Sequence, residues 1–173
     1  MFTNGARIIL VGLFLALGLF FSYEHVWELS AVAVLLMALV IFGYFKEGTV
    51  ILAAKKFHNK DYKKAEDLLM QISNPEWLSK KRRGFYEFIL GGVSLQRQDY
   101  DAAEKHYELA AQYPLRTAND HVAALVHVAN ISIRQRNYEK AKAYLELANK
   151  HHEKITAKMK EVIIKLEKEL KGH

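Results

Sequence analysis

The chain has no cysteine and only two prolines, at positions 75 and 114. Without thiols, disulfides and thiolate metal sites are excluded, while the redox compartment stays open. So little proline leaves long stretches free to coil as helices, because few residues lack a backbone donor. Catalytic signatures are missing too. There is no Gly-rich phosphate loop, no His-Glu-x-x-His zinc helix and no Gly-x-Ser-x-Gly elbow. The histidines at 58, 106, 121, 127, 151, 152 and 173 are scattered. His121 and His127 are six apart, and His151 and His152 would point to different faces of a helix, so neither pair has ligand spacing. These absences predict no catalytic residue, no metal and no cofactor.

Charge is also scarce, but only at one end. Residues 1–45 hold one basic residue, Arg7, and two acidic ones, Glu24 and Glu28. The rest of the chain holds 24 Lys and Arg against 17 Asp and Glu, and so carries the whole positive excess. Two uncharged apolar runs, 8–23 and 29–45, flank the polar segment Glu24, His25 and Glu28. Each lies near the short end of what spans a bilayer, and Tyr23, Trp27, Tyr44 and Phe45 stand at their ends as interfacial aromatics would. The expectation is a transmembrane helical hairpin over residues 1–45. A cleaved signal peptide fits less well, because Ser22-Tyr23-Glu24 offers no small-x-small site and a second apolar run follows at once. A buried soluble hairpin fits less well because neither run has a polar stripe. Arg7 before the first run, and Lys46, Lys55, Lys56 and Lys60 after the second, predict both termini on the cytoplasmic side. The compact hairpin and short chain suggest an integral protein of a prokaryotic cell inner membrane.

What the remainder has is repetition. DYKKAEDLLMQI from Asp61, DYDAAEKHYELA from Asp99 and NYEKAKAYLELA from Asn137 echo one another. Tyr62, Tyr100 and Tyr138 are 38 residues apart, as are Ala65, Ala103 and Ala141. An Asp or Asn opens each block as a helix cap, a Tyr follows, and a small Ala three residues later permits close helix packing. Apolar residues then recur at three- and four-residue spacing, which is helical periodicity. Each block follows a first helical stretch (47–58, 80–97 and 118–135), joined to it by the short polar connections Asn59-Lys60, Gln98 and Arg136. A fixed period over three copies points to stacked helical hairpins, an architecture that binds other proteins and rarely catalyses.

Residues 47–150 resemble the tetratricopeptide repeat (TPR) family. The resemblance rests on Leu90-Gly91 in the first helix of copy two, with Leu52-Ala53 and Val128-Ala129 as its counterparts, and on the capped Tyr-x-x-Ala second helices. The 38-residue period exceeds the family's usual 34 and implies longer helices or loops. The fold class expected is all-α: the two-helix hairpin, a three-repeat TPR-like solenoid (46–75, 80–114 and 118–150), and an amphipathic capping helix at 151–173. That last segment would turn Ile155, Met159, Val162, Ile163, Leu166 and Leu170 toward the open end of the array.

The resemblance implies that first helices line a protein-binding groove. Its candidate contacts are Phe85, Phe88, Gln96, Asn130 and Arg134, alongside Val50, Ala54, His58, Gly92, Ala123 and Val126. The competing role for these residues is packing against the capping helix. Family members that hold chaperone C-terminal carboxylates use a Lys, Asn and Arg clamp, but Val50, Ala54, Ile89, Ala123 and His127 stand at the matching places, so that partner is disfavoured. Separately, Lys80, Lys81, Arg82 and Arg83 form the densest basic cluster, at a helix start where the macrodipole disfavours cations. Anionic lipid headgroups or a small anionic ligand are its candidate partners. Nucleic acid is not expected, because no binding motif accompanies the charge. The resulting expectation is a membrane-anchored scaffold that recruits a protein partner, or an accessory subunit that binds an anion through its basic edge.

Overall fold

A computed structural model describes residues 4–47 and 49–172. Among the described residues the chain is all-helical. The helices are α1 (Asn4–Tyr23), α2 (Trp27–Glu47), α3 (Val50–His58), α4 (Tyr62–Met70), α5 (Lys80–Gln96), α6 (Tyr100–Ala111), α7 (Ala118–Arg134), α8 (Tyr138–Asn149) and α9 (Ala157–Leu170). Short 3-10 turns at Pro75–Trp77 and His152–Lys154 complete the fold. Helices α3 with α4, α5 with α6, and α7 with α8 form antiparallel hairpins that stack in chain order, and α9 packs on α7 and α8.

The same local devices close each hairpin. Asp61, Asp99 and Asn137 accept the backbone N–H of Lys64, Ala102 and Lys140 at 3.4, 3.1 and 3.3 Å, satisfying an orphan donor in the first turn. The residues just before these caps, Lys60, Gln98 and Arg136, have φ of 62°, 62° and 61°. Each first helix therefore ends through one left-handed residue, a conformation that costs a side chain about 1–2 kcal/mol. None of the three is glycine.

Packing between the two helices of a hairpin follows the period as well. The second-helix positions Ala65, Ala103 and Ala141 are fully buried, and so nearly are Leu69, Tyr107 and Leu145. The first-helix partners at the same interval are Ala53, Gly91 and Ala129. Ala53 shares a core cluster with Leu69, and Ala129 shares one with Leu145. In the middle hairpin the larger Tyr107 is matched by the smaller Gly91, whose added Cβ would lie 3.0–3.1 Å from three ring atoms. Gly92 does the same for Phe57 of the preceding hairpin, with ring atoms 2.3 and 2.5 Å from the position of a Cβ. Close packing therefore accounts for both glycines of the pair.

The N-terminal segment is a helical hairpin. Its turn places His25 at φ 57°, and Ser30 Oγ donates to the Gly18 carbonyl at 3.1 Å across the two helices. The expectation that it spans a membrane is overturned: among the described residues no helix is long and apolar enough to cross one. At about 1.5 Å per residue, the uncharged parts of α1 (8–23) and α2 (29–45) reach about 24 and 26 Å, against a hydrocarbon core of about 30 Å. The inner-membrane location with both termini cytoplasmic falls with it. The side chains of Arg7, Tyr44, Phe45 and Lys46, on which that reading partly rested, lie outside what the structure describes, as does His173. Apolar side chains on the hairpin remain exposed, Ile8 and Ile9 at 73% and Leu19 at 67%.

The final helix also differs from expectation. It starts at Ala157, not at 151, because Ile155 and Thr156 are extended: Ile155 is buried in the last core cluster and the Thr156 N–H donates to Asn119 Oδ1 at 3.0 Å. Ile163 and Leu166 are buried, with Met159 and Leu170 packed beside them, whereas Val162 lies off this face at 38% exposure.

Candidate protein-binding surface

The groove candidates divide into floor and rim. Phe85 is partly buried and touches both the first and the second core cluster, so it joins two hairpins. Phe88 sits edge-on to Tyr107, with ring centroids 5.5 Å apart, and to His127 at 6.2 Å. Tyr107 stacks on His127 at 4.4 Å and 13°. This three-ring cluster ties α5, α6 and α7 together. Burial lowers the His127 imidazole pKa to about 4, so the ring is neutral at physiological pH, and burial raises the Tyr107 phenol. Val50 is buried at 1% and belongs to the core, while Gln96 and His58 are exposed.

Asn130 and Arg134 have a different setting. Together with Val126 and His127 of α7 they line one wall of a cleft of about 430 Å3, and Val162, Lys165, Leu166 and Glu169 of α9 form the other wall. The floor is apolar, with Val126 at 7% and Leu166 at 6% exposure, and the rim carries two cations and one carboxylate. Arg134 lies over the Tyr100 ring of α6 at 5.8 Å. The α9 wall was not assigned a binding role from the sequence, which gave Val162 and Leu166 to the capping face and no part in binding to Lys165 and Glu169. Its only signal was Val162, an apolar residue one step off the packed face.

The basic cluster is partly spent inside the fold. Arg82 is ion-paired with Glu47, and Arg83 with Glu76 at 3.2 Å and with the buried Glu87 at 2.8 Å. Glu87 also meets His106 Nδ1 at 2.6 Å, so these charges link α5 to α6. A second network joins the next hairpin. Lys140 Nζ sits 2.9 Å from Glu104 and 2.8 Å from Glu108, Ser132 Oγ donates to Glu104 at 2.7 Å, and Tyr144 O–H donates to Glu108 at 3.0 Å. Desolvation pulls the Lys140 ammonium down, but hydrogen bonds to Glu108 and Glu104 outweigh it and leave its pKa raised. No group of three or more potential metal ligands is gathered among the described residues.

Compared with known proteins, residues 40–165 match the family model described as the SusR N-terminal TPR domain. No curated protein and no solved structure matches the chain.

Proposed function

Since the chain belongs to this family of TPR domains, we propose that it is a protein-interaction scaffold whose binding site is the cleft between α7 and α9, floored by Val126 and Leu166. TPR domains bind protein partners generally, and nothing in the residues described calls for catalysis. The observation that carries the reading is the cleft itself: an apolar floor open enough for a side chain, with Asn130, Arg134, Lys165 and Glu169 at its edge. Such a site suits a segment that inserts an apolar residue and sets an acidic group against Arg134 and Lys165, while Asn130 hydrogen-bonds its backbone.

The basic edge offers less support for an anion-binding accessory role, because Arg82 and Arg83 are already paired and only Lys80 and Lys81 are left to it. The test is a selection of peptides from a displayed library on the intact chain, followed by affinity measurement with variants. Asn130→Ala and Arg134→Glu should each weaken selected peptides by about tenfold or more, as expected for removing a polar contact or reversing a charge. Lys105→Glu, on the exposed outer side of α6, should not. Peptides that tolerate both cleft changes would place the site elsewhere.

A further inference from the structure

A second concavity lies away from this cleft. It is a dish of about 470 Å3 formed by the loop between α6 and α7, the first turn of α7 and the connection between α8 and α9. Arg116, His121, His151 and Lys154 line it, with Thr117 between them, and no carboxylate is among its lining residues. Three chain segments thus bring four cationic or protonatable side chains to one place. The nearest acids in sequence do not line it. Asp120 caps its own helix by accepting the Thr117 N–H at 3.1 Å, and Glu153 is exposed beside Lys154 in the turn.

We propose that this dish binds phosphate, free or as a small monoester. Arg116 offers a planar fork of donors and Lys154 a point charge, the two usual ways in which proteins hold phosphate. The imidazoles of His121 and His151 lie 5.2 Å apart between centroids, edge to face, close enough to share one anion. Two imidazoles alone would also suit a transition metal, but Arg116 and Lys154 beside them repel a divalent cation. Burial and the neighbouring His151 lower the His121 pKa. An anion beside His121 favours its protonated form, but a phosphate monoester takes up its own second proton at about pH 6, so affinity should pass through a maximum near that pH. The site is independent of the cleft proposed above: it lies at the opposite end of α7 and shares no lining residue with it.

The test follows the imidazole C–H resonances of the full chain by NMR while inorganic phosphate, O-phosphoserine or sodium chloride is added at matched ionic strength. Phosphate should raise the titration midpoint of His121, shift the His151 resonances with it and leave the resonances of exposed His152 in place. The double variant R116Q/K154Q should lose at least tenfold in phosphate affinity, and the charge-keeping R116K/K154R should retain most of it. Binding of phosphate alone assigns the site to the free ion, and binding of both phosphate and phosphoserine assigns it to monoesters as well. Equal shifts with chloride, shifts spread over all histidines, or undiminished affinity in R116Q/K154Q would overturn the proposal.

Discussion

The match between Gly91 and Tyr107 can be tested as a coupling. Tyr107 is 2% exposed and held between Phe88 and His127, so its ring has little room to yield. A Cβ at position 91 would approach three atoms of that ring at 3.0–3.1 Å. Gly91→Ala gains about 1 kcal/mol of helix propensity but meets an overpacking cost of about 1–3 kcal/mol, so the variant should be neutral or less stable by up to about 2 kcal/mol. Tyr107→Leu restores the side chain that the other two hairpins use at this place, Leu69 and Leu145. In that background the clash is gone, and Gly91→Ala should stabilise by about 1 kcal/mol, as it does at an exposed helix position. Urea unfolding of the four proteins closes the cycle, with an expected coupling of about 1–3 kcal/mol. A coupling below about 0.5 kcal/mol, within the error of independent sites, would refute the claim that the two positions are matched in size.

Other consequences follow from the same structure. Lys60→Gly, Gln98→Gly and Arg136→Gly should each stabilise by about 0.5–1 kcal/mol, since relief of left-handed strain exceeds the added chain entropy, whereas Asn59→Gly at φ −80° should destabilise by a similar amount; thermal melts decide between them. Gly92→Ala should cost about 2 kcal/mol or more despite better propensity, because the Phe57 ring must leave its seat, and Phe57→Leu should recover most of that loss on chemical denaturation. Lys140→Met leaves Glu104 and Glu108 facing each other and should lower stability by about 1–3 kcal/mol, with part of the loss recovered when Glu108→Gln is added. Because the folded His127 pKa lies below its unfolded value, the unfolded chain binds more protons between about pH 6.5 and 4. Stability should therefore drop by about 3 kcal/mol as pH falls through that window, and His127→Phe should remove this component from a pH series of urea midpoints.

The all-helical class and the TPR relationship were legible because they rest on local signals repeated three times. Caps at 61, 99 and 137 and alanines at 65, 103 and 141 need nothing beyond helix physics to be read. The interval even marks the left-handed residues, although Lys60, Gln98 and Arg136 gave no compositional hint of positive φ. What escaped were properties set by distant partners. Arg82 and Arg83 read as a free basic edge because Glu47, Glu76 and Glu87 meet them only after folding. His121 and His151 are 30 residues apart and read as unrelated until the α8–α9 connection folds back on α7. The cleft lost one wall in the sequence reading because α9 was assigned wholly to capping, although it caps with one face and lines the cleft with another. The N-terminal hairpin was read correctly as two helices and incorrectly as spanning a membrane, because apolar composition was given more weight than the length of the runs.

The central claim is that the α7–α9 cleft is where a protein partner docks. A photo-crosslinking amino acid placed at Asn130 in the full chain, in the cells that make it, tests that most directly, with the same probe at Lys105 on the outer side of α6 as the reference. The account predicts a discrete protein adduct from position 130 that disappears when Arg134→Glu is added, and none from position 105. The same adduct from both positions, or one from 105 alone, would contradict it.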